Sequence, residues 1–305
     1  MPEEGCMMNR KYIKTAVLLV SFLFLLAGCG QQQEKTQEES TVVEGLDQLG
    51  DIQVISREEG SGTRSAFAGL AGFPAEGDAG NGQSDLTRTD AVIAENSDEV
   101  IDKVASDASA IGYVSKAALT GQENVKVLKV EGKSAEDHDK YPLSRDFYLA
   151  YSGKLSDLEQ DFLTYVHGAG QEIVGKEYEA VAKSSSFLSN KAKGSITIEG
   201  STSAAPLMEQ LAEAYEKINT NAVITVTATD SSEGLTQAMA GKCDFGMSSR
   251  SLKDYEQELL DYELIARDSI VVIAEKNNPL DTISLDELKE IYTGHIEKWD
   301  ELNQR

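Results

Sequence analysis

From about residue 50 to its end, the chain alternates short apolar runs with amphipathic stretches. Residues 50–56 set Ile52, Val54 and Ile55 in a run that predicts a strand, and 65–70 open a helical pattern. A Gly/Ala-rich loop follows over 72–82. Asn96-Ser97-Asp98-Glu99 reads as an N-cap with an acidic first turn, predicting a helix to about residue 106 with Ile101 and Val104 inward. Strands are expected over 111–114, 125–130 and 146–151. Ser156 caps a helix that buries Leu158, Phe162, Leu163 and Val166, and helical character continues over 170–181. Residues 183–193, with three consecutive serines and alternating lysines, read as a linker. Beyond it, strands over 196–198, 223–228, 244–247 and 269–274 alternate with helices over 206–218, 231–241 and 252–260. Ser284 caps a last helix over 285–292, and 299–302 form a short one. Strands alternating with helices throughout predict an α/β fold, and no internal repeat is present.

The first residues break this pattern. Arg10, Lys11 and Lys14 form a basic stretch before the apolar run 16–27, which ends in Leu26-Ala27-Gly28-Cys29. A charged region, a short apolar region and a small-residue cleavage site make a secretory signal, and the run is short for a membrane-spanning helix. The signal pattern needs nothing before Met7. Cys directly after Leu-Ala-Gly resembles the lipobox of bacterial lipoproteins. That resemblance implies cleavage before Cys29, acylation of its thiol, and attachment to the extracytoplasmic face of the membrane. An ordinary signal peptide or an uncleaved anchor is the alternative. Residues 1–28 are thus expected to be a signal. Residues 29–49, Gln/Glu/Ser/Thr-rich over 30–41, are expected to be a flexible tether.

Composition narrows the chemistry. The formal charge of −24 leaves no basic face for nucleic acid, and any anion site must rest on short-range donors because the long-range field is unfavourable. Of three cysteines, Cys6 lies in the signal, Cys29 would carry lipid, and Cys243 remains as a small buried side chain. One Cys and three scattered His residues make neither a disulfide framework nor a metal site, and no cofactor motif is present. Gly132-Lys133-Ser134 is not a phosphate loop, because Val127 stands where that motif needs Gly.

Two small-residue turns carry the candidate chemistry. Residues 54–67 read VISREEGSGTRSAF and 195–206 read SITIEGSTSAAP, each a strand, a turn and a helix start. Such turns gather N–H groups and hydroxyls at helix N-termini, where anions bind. Both resemble the ligand turns of phosphate-binding proteins of ABC transporters. DFGMSSR (244–250), IARDSIVVIAEKNNP (265–279), LDELKEIYTGHIEKWDEL (285–302), IGYVS (111–115) and YPLSRDFYLAYSG (141–153) resemble further segments of that family. The order is cyclically shifted: the family's sequence would begin near Gly194, run to Leu302, continue at about Ile52 and finish near Val181. The resemblance therefore implies a two-lobed type 2 periplasmic-binding-protein fold, circularly permuted, with a ligand cleft between the lobes. Strands near 269–274 and 145–151 would cross between a continuous lobe (145–270) and a split lobe (50–144 with 271–305).

Carried over residue by residue, the resemblance implies phosphate ligands Thr202, Ser203, Ser231 and Ser249 on the continuous lobe, and Arg57, Ser61, Gly62 and Thr63 on the split lobe. As isolated motifs, residues 201–203 and 231–232 would read as helix N-caps. Glu59 is expected to orient Arg57, while Arg64 and Arg250 stand open between ligand contact and structural pairing. Trp299 reads as a packing residue. Ser249 stands where family members often carry Asp, which bears on discrimination against sulfate. The implied function is a lipid-anchored receptor that binds inorganic phosphate and delivers it to an ABC permease. A surface sensor, a receptor for another oxyanion, and a phosphohydrolase are the alternatives. The last lacks a metal cluster or an activated nucleophile.

Overall fold

The computed structural model describes residues 45–75, 85–137 and 140–304. The expected signal, Cys29, the tether to residue 44, residues 76–82 of the Gly/Ala-rich loop and His138 lie outside the described residues; the last part of the expected tether is not free chain, because Leu46–Gln48 form a 3-10 turn and Leu46 is buried in a core. In chain order the elements are β1 (Gln53–Arg57), α1 (Gly62–Ala71), β2 (Val92–Ala94), α2 (Ser97–Ala105), β3 (Ala110–Ser115), β4 (Val125–Val127), β5 (Lys129–Val130) and β6 (Ser144–Tyr151). There follow α3 (Asp157–His167), α4 (Gln171–Glu177), β7 (Gly194–Ser201), α5 (Ala205–Ile218), β8 (Ala222–Thr229), α6 (Ser231–Met239) and β9 (Phe245–Ser248). The chain continues through α7 (Asp254–Leu259), β10 (Asp261–Glu275), β11 (Thr282–Ile283) and α8 (Leu285–Tyr292), with a 3-10 turn over Trp299–Gln304. Asn96, Ser156 and Ser284 cap α2, α3 and α8 as their sequence patterns predict.

One sheet runs in the order β2-β1-β3-β10-β6-β9-β7-β8, with β4 also pairing β10. Its flanks are parallel, β1 with β2 and β3 at one end, β7 with β8 and β9 at the other. Antiparallel β10 and β6 join them. β10 extends well beyond the apolar run expected at 269–274. Its first part, Asp261–Ser269, pairs with β6, and Ile270–Ala274 pairs with β3. Charges at Asp261, Glu263, Arg267 and Asp268 hide that first part from a hydrophobicity reading, and those of Arg267 and Asp268 are paired across to β6.

Two large cores lie on either side of this junction. One draws on residues 46–143 and 270–302, among them Ile55, Phe67, Tyr113, Ile273, Tyr292 and Trp299. The other draws on residues 147–266, including Phe147, Phe162, Ile198, Tyr215 and Phe245. Each fully buried side chain of this size contributes about 1.5–3 kcal/mol of transfer free energy. We call the bodies around them the first and second lobes.

Residues 183–193 carry no helix or strand, yet they are held down. Phe187 packs edge-on to Tyr165 at 5.4 Å. Ser189 Oγ donates to Asp161 Oδ2 at 2.7 Å, and Asn190 N donates to Asp161 Oδ1 at 2.9 Å. Far away, the two outer parts of the described chain meet: Ile52 N donates to Glu297 O at 2.7 Å and Trp299 N to Gly50 O at 3.1 Å. Among the described residues no helix is long and apolar enough to cross a membrane.

Candidate anion-binding site

Four turns converge where parallel strands end and helices begin, the usual place for a ligand in an open α/β sheet. In the first lobe, β1 delivers Arg57 at its last position and α1 begins at Gly62. Between them Gly60 adopts φ +83°, which suits glycine, and Ser61 caps α1 by accepting from Arg64 N. The platform beneath is aromatic. Phe67 stacks on Tyr113 at 4.0 Å between centroids, and Tyr113 Oη accepts from Arg57 N at 3.2 Å. Tyr292 packs on both rings and donates to Ile55 O. Arg57 is therefore fixed by its backbone and is only 1% exposed.

In the second lobe, β7 ends at Ser201, Thr202-Ser203-Ala204 forms the turn, and Pro206 sits in the first turn of α5, where its missing N–H costs nothing. Ala204, not a serine, occupies the α5 N-cap, and Asp230 caps α6. The hydroxyls of Thr202, Ser203 and Ser231 are thus not spent on capping, which removes the N-cap reading for these three. Ser249 follows β9 and lies against Ser201 and Ser231: Ser201 Oγ donates to Ser249 Oγ at 2.8 Å, and Ser249 N donates to Ser231 Oγ at 3.1 Å.

The lobes meet across these turns. Arg57 Nη2 donates to Thr202 Oγ1 at 3.0 Å, and Thr63 Oγ1 and Ser203 Oγ share a hydrogen bond at 2.7 Å. A Cβ on Gly62 would stand 2.1 Å from Ser231 Oγ and 2.4 Å from Ser249 Oγ, so only glycine admits this approach. A Cβ on Gly60 would stand 2.7 Å from Asp230 Oδ1, and the Gly60 carbonyl accepts from Ser232 Oγ at 3.4 Å. All eight sequence-predicted residues therefore gather at one place, with Ser61 acting through its cap. Arg57 Nη1 is buried there without a hydrogen-bond partner, a charged donor left for an incoming acceptor. A cavity of about 160 Å³ lined by Ser115, Tyr178, Thr202, Ser203 and Pro206 adjoins the turns.

One expectation changes, and two open readings resolve toward structural pairing. Glu58, not the exposed Glu59, orients Arg57, through bonds of 2.6 and 2.7 Å to Nε and Nη2. Arg64 pairs with Asp85 and donates to Arg57 O, so it braces the turn. Arg250 forks onto buried Glu256 at 2.8 Å and reaches Ser232 Oγ at 3.2 Å. Burial pushes the Glu256 carboxyl up, and the Arg250 hydrogen bonds outweigh it, leaving the group below the usual carboxylate range.

Sequence reasoning missed Arg145 and Asp268. Both crossing strands carry an Arg-Asp dipeptide, Arg145-Asp146 on β6 and Arg267-Asp268 on β10, and their antiparallel register sets each Arg opposite the other strand's Asp. Arg145 and Asp268 are buried, and Arg145 Nε and Nη2 donate to Asp268 Oδ2 at 3.0 and 2.8 Å. Burial pushes the Asp268 carboxyl up while the guanidinium draws it down. A charged dipeptide inside an apolar strand was the available signal. His167 lies against Glu263, and His295 against Thr293, both away from the site.

Known proteins are similar to this chain over most of its length. A PBP superfamily domain model matches residues 185–305. Phosphate-binding protein PstS 2 of Streptococcus pneumoniae serotype 4 is 36% identical over 286 residues, covering 92% of this chain and 94% of the relative. The Streptococcus agalactiae serotype V protein of the same name is 33% identical, covering 97% of this chain and 100% of its own. Phosphate-binding protein PstS of Staphylococcus haemolyticus matches over 36% of this chain and 38% of its own, at 36% identity. Among solved structures, a phosphate-binding protein of a phosphate ABC transporter from Streptococcus pneumoniae superposes with a TM-score of 0.68 at 37% identity, covering 83% of this chain and 99% of that one. With identity sustained across nearly the whole of both chains, this chain belongs to the phosphate-binding protein family of phosphate ABC transporters and has the type 2 periplasmic-binding-protein fold.

Proposed function

We propose that the chain is an extracytoplasmic receptor that binds inorganic phosphate between its lobes and delivers it to an ABC permease, acting by binding and release rather than by catalysis. The observation that carries this reading is the buried Arg57 guanidinium, with one unpartnered donor, among hydroxyls from both lobes and the N-termini of α1, α5 and α6. Such a set replaces the water an oxyanion loses on entry. The names and end-to-end similarity of the relatives support the same ligand and the same permease partnership. Ligand contacts are assigned to Arg57, Gly62, Thr63, Thr202, Ser203, Ser231 and Ser249, with Ser61 shaping the turn. Calorimetric titration of the full chain with phosphate and with sulfate tests the assignment. One phosphate bound per chain is expected, and tighter sulfate binding would make it a receptor for another oxyanion.

We further infer that Cys29 carries lipid, that the segment from Cys29 to about residue 44 tethers the protein to the membrane, and that the chain is a circular permutant with a split lobe (50–144 with 271–305) and a continuous lobe (145–270). The pairing of residues 50–52 with 297–299 supports the permutation, because that is where an unpermuted chain would run on. The partial match to the staphylococcal protein, beside full-length matches to the streptococcal ones, supports it too, since a collinear alignment holds only on one side of a cyclic junction. Mass spectrometry of the membrane-extracted protein tests the lipid: a diacylglyceryl adduct on an N-terminal Cys29 is expected.

A further inference from the structure

Thr63 stands at the crossing of two interactions. Toward the second lobe its hydroxyl meets Ser203 Oγ at 2.7 Å, and toward the crossing strands it accepts from Arg145 Nη1 at 2.7 Å. Arg145 is held in turn by a fork onto Asp268, whose other oxygen accepts from Ser115 Oγ at 3.0 Å. The guanidinium also lies over the Phe147 ring, 5.1 Å from its centroid. Arg145 and Asp268 sit on the two strands that join the lobes, Thr63 lies in the first-lobe ligand helix, and Ser203 in the second-lobe turn. All four are 6% exposed or less.

A hydroxyl has one proton. Because Thr63 Oγ1 accepts from Arg145, that proton is directed away from the guanidinium, toward Ser203 or toward an anion between the lobes. We propose that Arg145 is a positioning residue that couples anion binding to lobe closure: anchored to Asp268 on the crossing strands, it fixes the Thr63 hydroxyl as a donor to the anion and holds the first-lobe ligand helix in its closed placement. This inference rests on the phosphate reading and adds the device by which the site and the hinge act together. The neighbouring pair supplies an internal control. Arg267 meets Asp146 at 3.2 Å on the same two strands but is solvent-exposed and makes no contact with either ligand turn.

The test is a mutant cycle read by phosphate calorimetry on the full chain. Replacing both members of the buried pair, Arg145→Met with Asp268→Leu, avoids leaving an unpaired buried charge. That double variant is expected to weaken phosphate binding more than tenfold, and Thr63→Val to do likewise. The triple variant should be less than threefold weaker than Thr63→Val alone, because the residues act as one unit. The exposed counterpart, Arg267→Met with Asp146→Leu, should stay within twofold of wild type. Should the buried-pair variant not fold, Arg145→Lys carries the same cycle, since an ammonium cannot fork onto Asp268 and reach Thr63 together. Multiplying penalties, or an equal loss in the exposed-pair variant, would overturn the coupling while leaving phosphate binding intact. A wild-type chain that binds no phosphate would overturn the function itself.

Discussion

Thr63 of the first lobe and Ser203 of the second share a 2.7 Å hydrogen bond between residues 140 positions apart. The cleft is therefore closed by groups suited to an anion, and the hydroxyls that meet across it would turn to the ligand when one is present. Opening would break that contact and the Arg57–Thr202 bond, while both cores would remain whole on their own sides. This is how a hinge protein separates stability from motion.

Removing the Arg57 guanidinium takes away the charge-assisted contact. Arg57→Ala should weaken phosphate binding by about 1.5–3 kcal/mol, roughly tenfold to a hundredfold. Arg57→Lys should recover only part, because an ammonium cannot hold Glu58 and reach Thr202 in one plane. Calorimetry of both variants checks this, and an unchanged affinity for Arg57→Ala would remove that residue from the site.

Gly62→Ala should separate stability from function with opposite signs. Alanine at the head of α1 favours the helix by up to about 1 kcal/mol relative to glycine. Its Cβ would nevertheless meet Ser231 Oγ and Ser249 Oγ at 2.1 and 2.4 Å when the lobes close. The ligand-free melting temperature is expected to hold or rise, and the rise on adding phosphate to be lost. A full phosphate-induced shift in this variant would mean that the bound state does not bring the turns together.

Much of this site was legible because the chemistry is local. GSGT and GSTSAAP each hold donors, turn and helix start within a few residues, so each turn is readable from sequence without its partner across the lobes. Arg145 and Asp268 escaped for the opposite reason. Their pairing depends on the register of two strands more than a hundred residues apart, which no local pattern encodes. Glu58 and Glu59 are neighbours, and only the backbone geometry at the end of β1 decides which carboxylate reaches Arg57. The first part of β10 is likewise masked by its charges, of which Arg267 and Asp268 find partners on β6.

Acid should weaken the second lobe through Glu256. Its folded-state carboxyl is held below the usual value of about 4.3, so its contribution is fully present above that pH. The contribution is lost as pH falls through the depressed folded-state value. Glu256→Gln should cost about 3 kcal/mol at pH 7, where it leaves Arg250 buried without its carboxylate. The gap between variant and wild type should narrow below pH 4. Melting curves from pH 7 to pH 3 check the sign, and a gap that widens in acid would contradict it.

Ser249 should set selectivity between tetrahedral anions. Its Oγ accepts from Ser201 and keeps a proton to donate, so fully deprotonated sulfate meets no repulsion there. Ser249→Asp would supply an acceptor for the proton of hydrogen phosphate and a charge that repels sulfate. The ratio of phosphate to sulfate affinity should then rise on the order of tenfold, one charge-assisted hydrogen bond gained or lost. Competition titrations of both forms measure it, and an unchanged ratio would place Ser249 away from the ligand.

The proposed permutation predicts that the chain order can be reversed, and that is its strictest test. Residues 50–52 already pair with 297–299, so a short loop joining the two outer parts of the chain should add little strain. The new ends belong between Lys183 and Ser184. Both are exposed and carry no regular structure, and the cut leaves Phe187 on Tyr165 and Ser189 on Asp161. A cut after Ser189 would instead separate that residue from Asn190, which shares its Asp161 anchor, and destabilise the second lobe. The rejoined chain, opened at 183–184 and starting from Ser184, should fold with near-native melting temperature and bind phosphate within about threefold of the original, because neither ligand turn nor crossing strand is touched. Folding with loss of phosphate binding would show that the present chain order is itself required to bring Thr63 to Ser203.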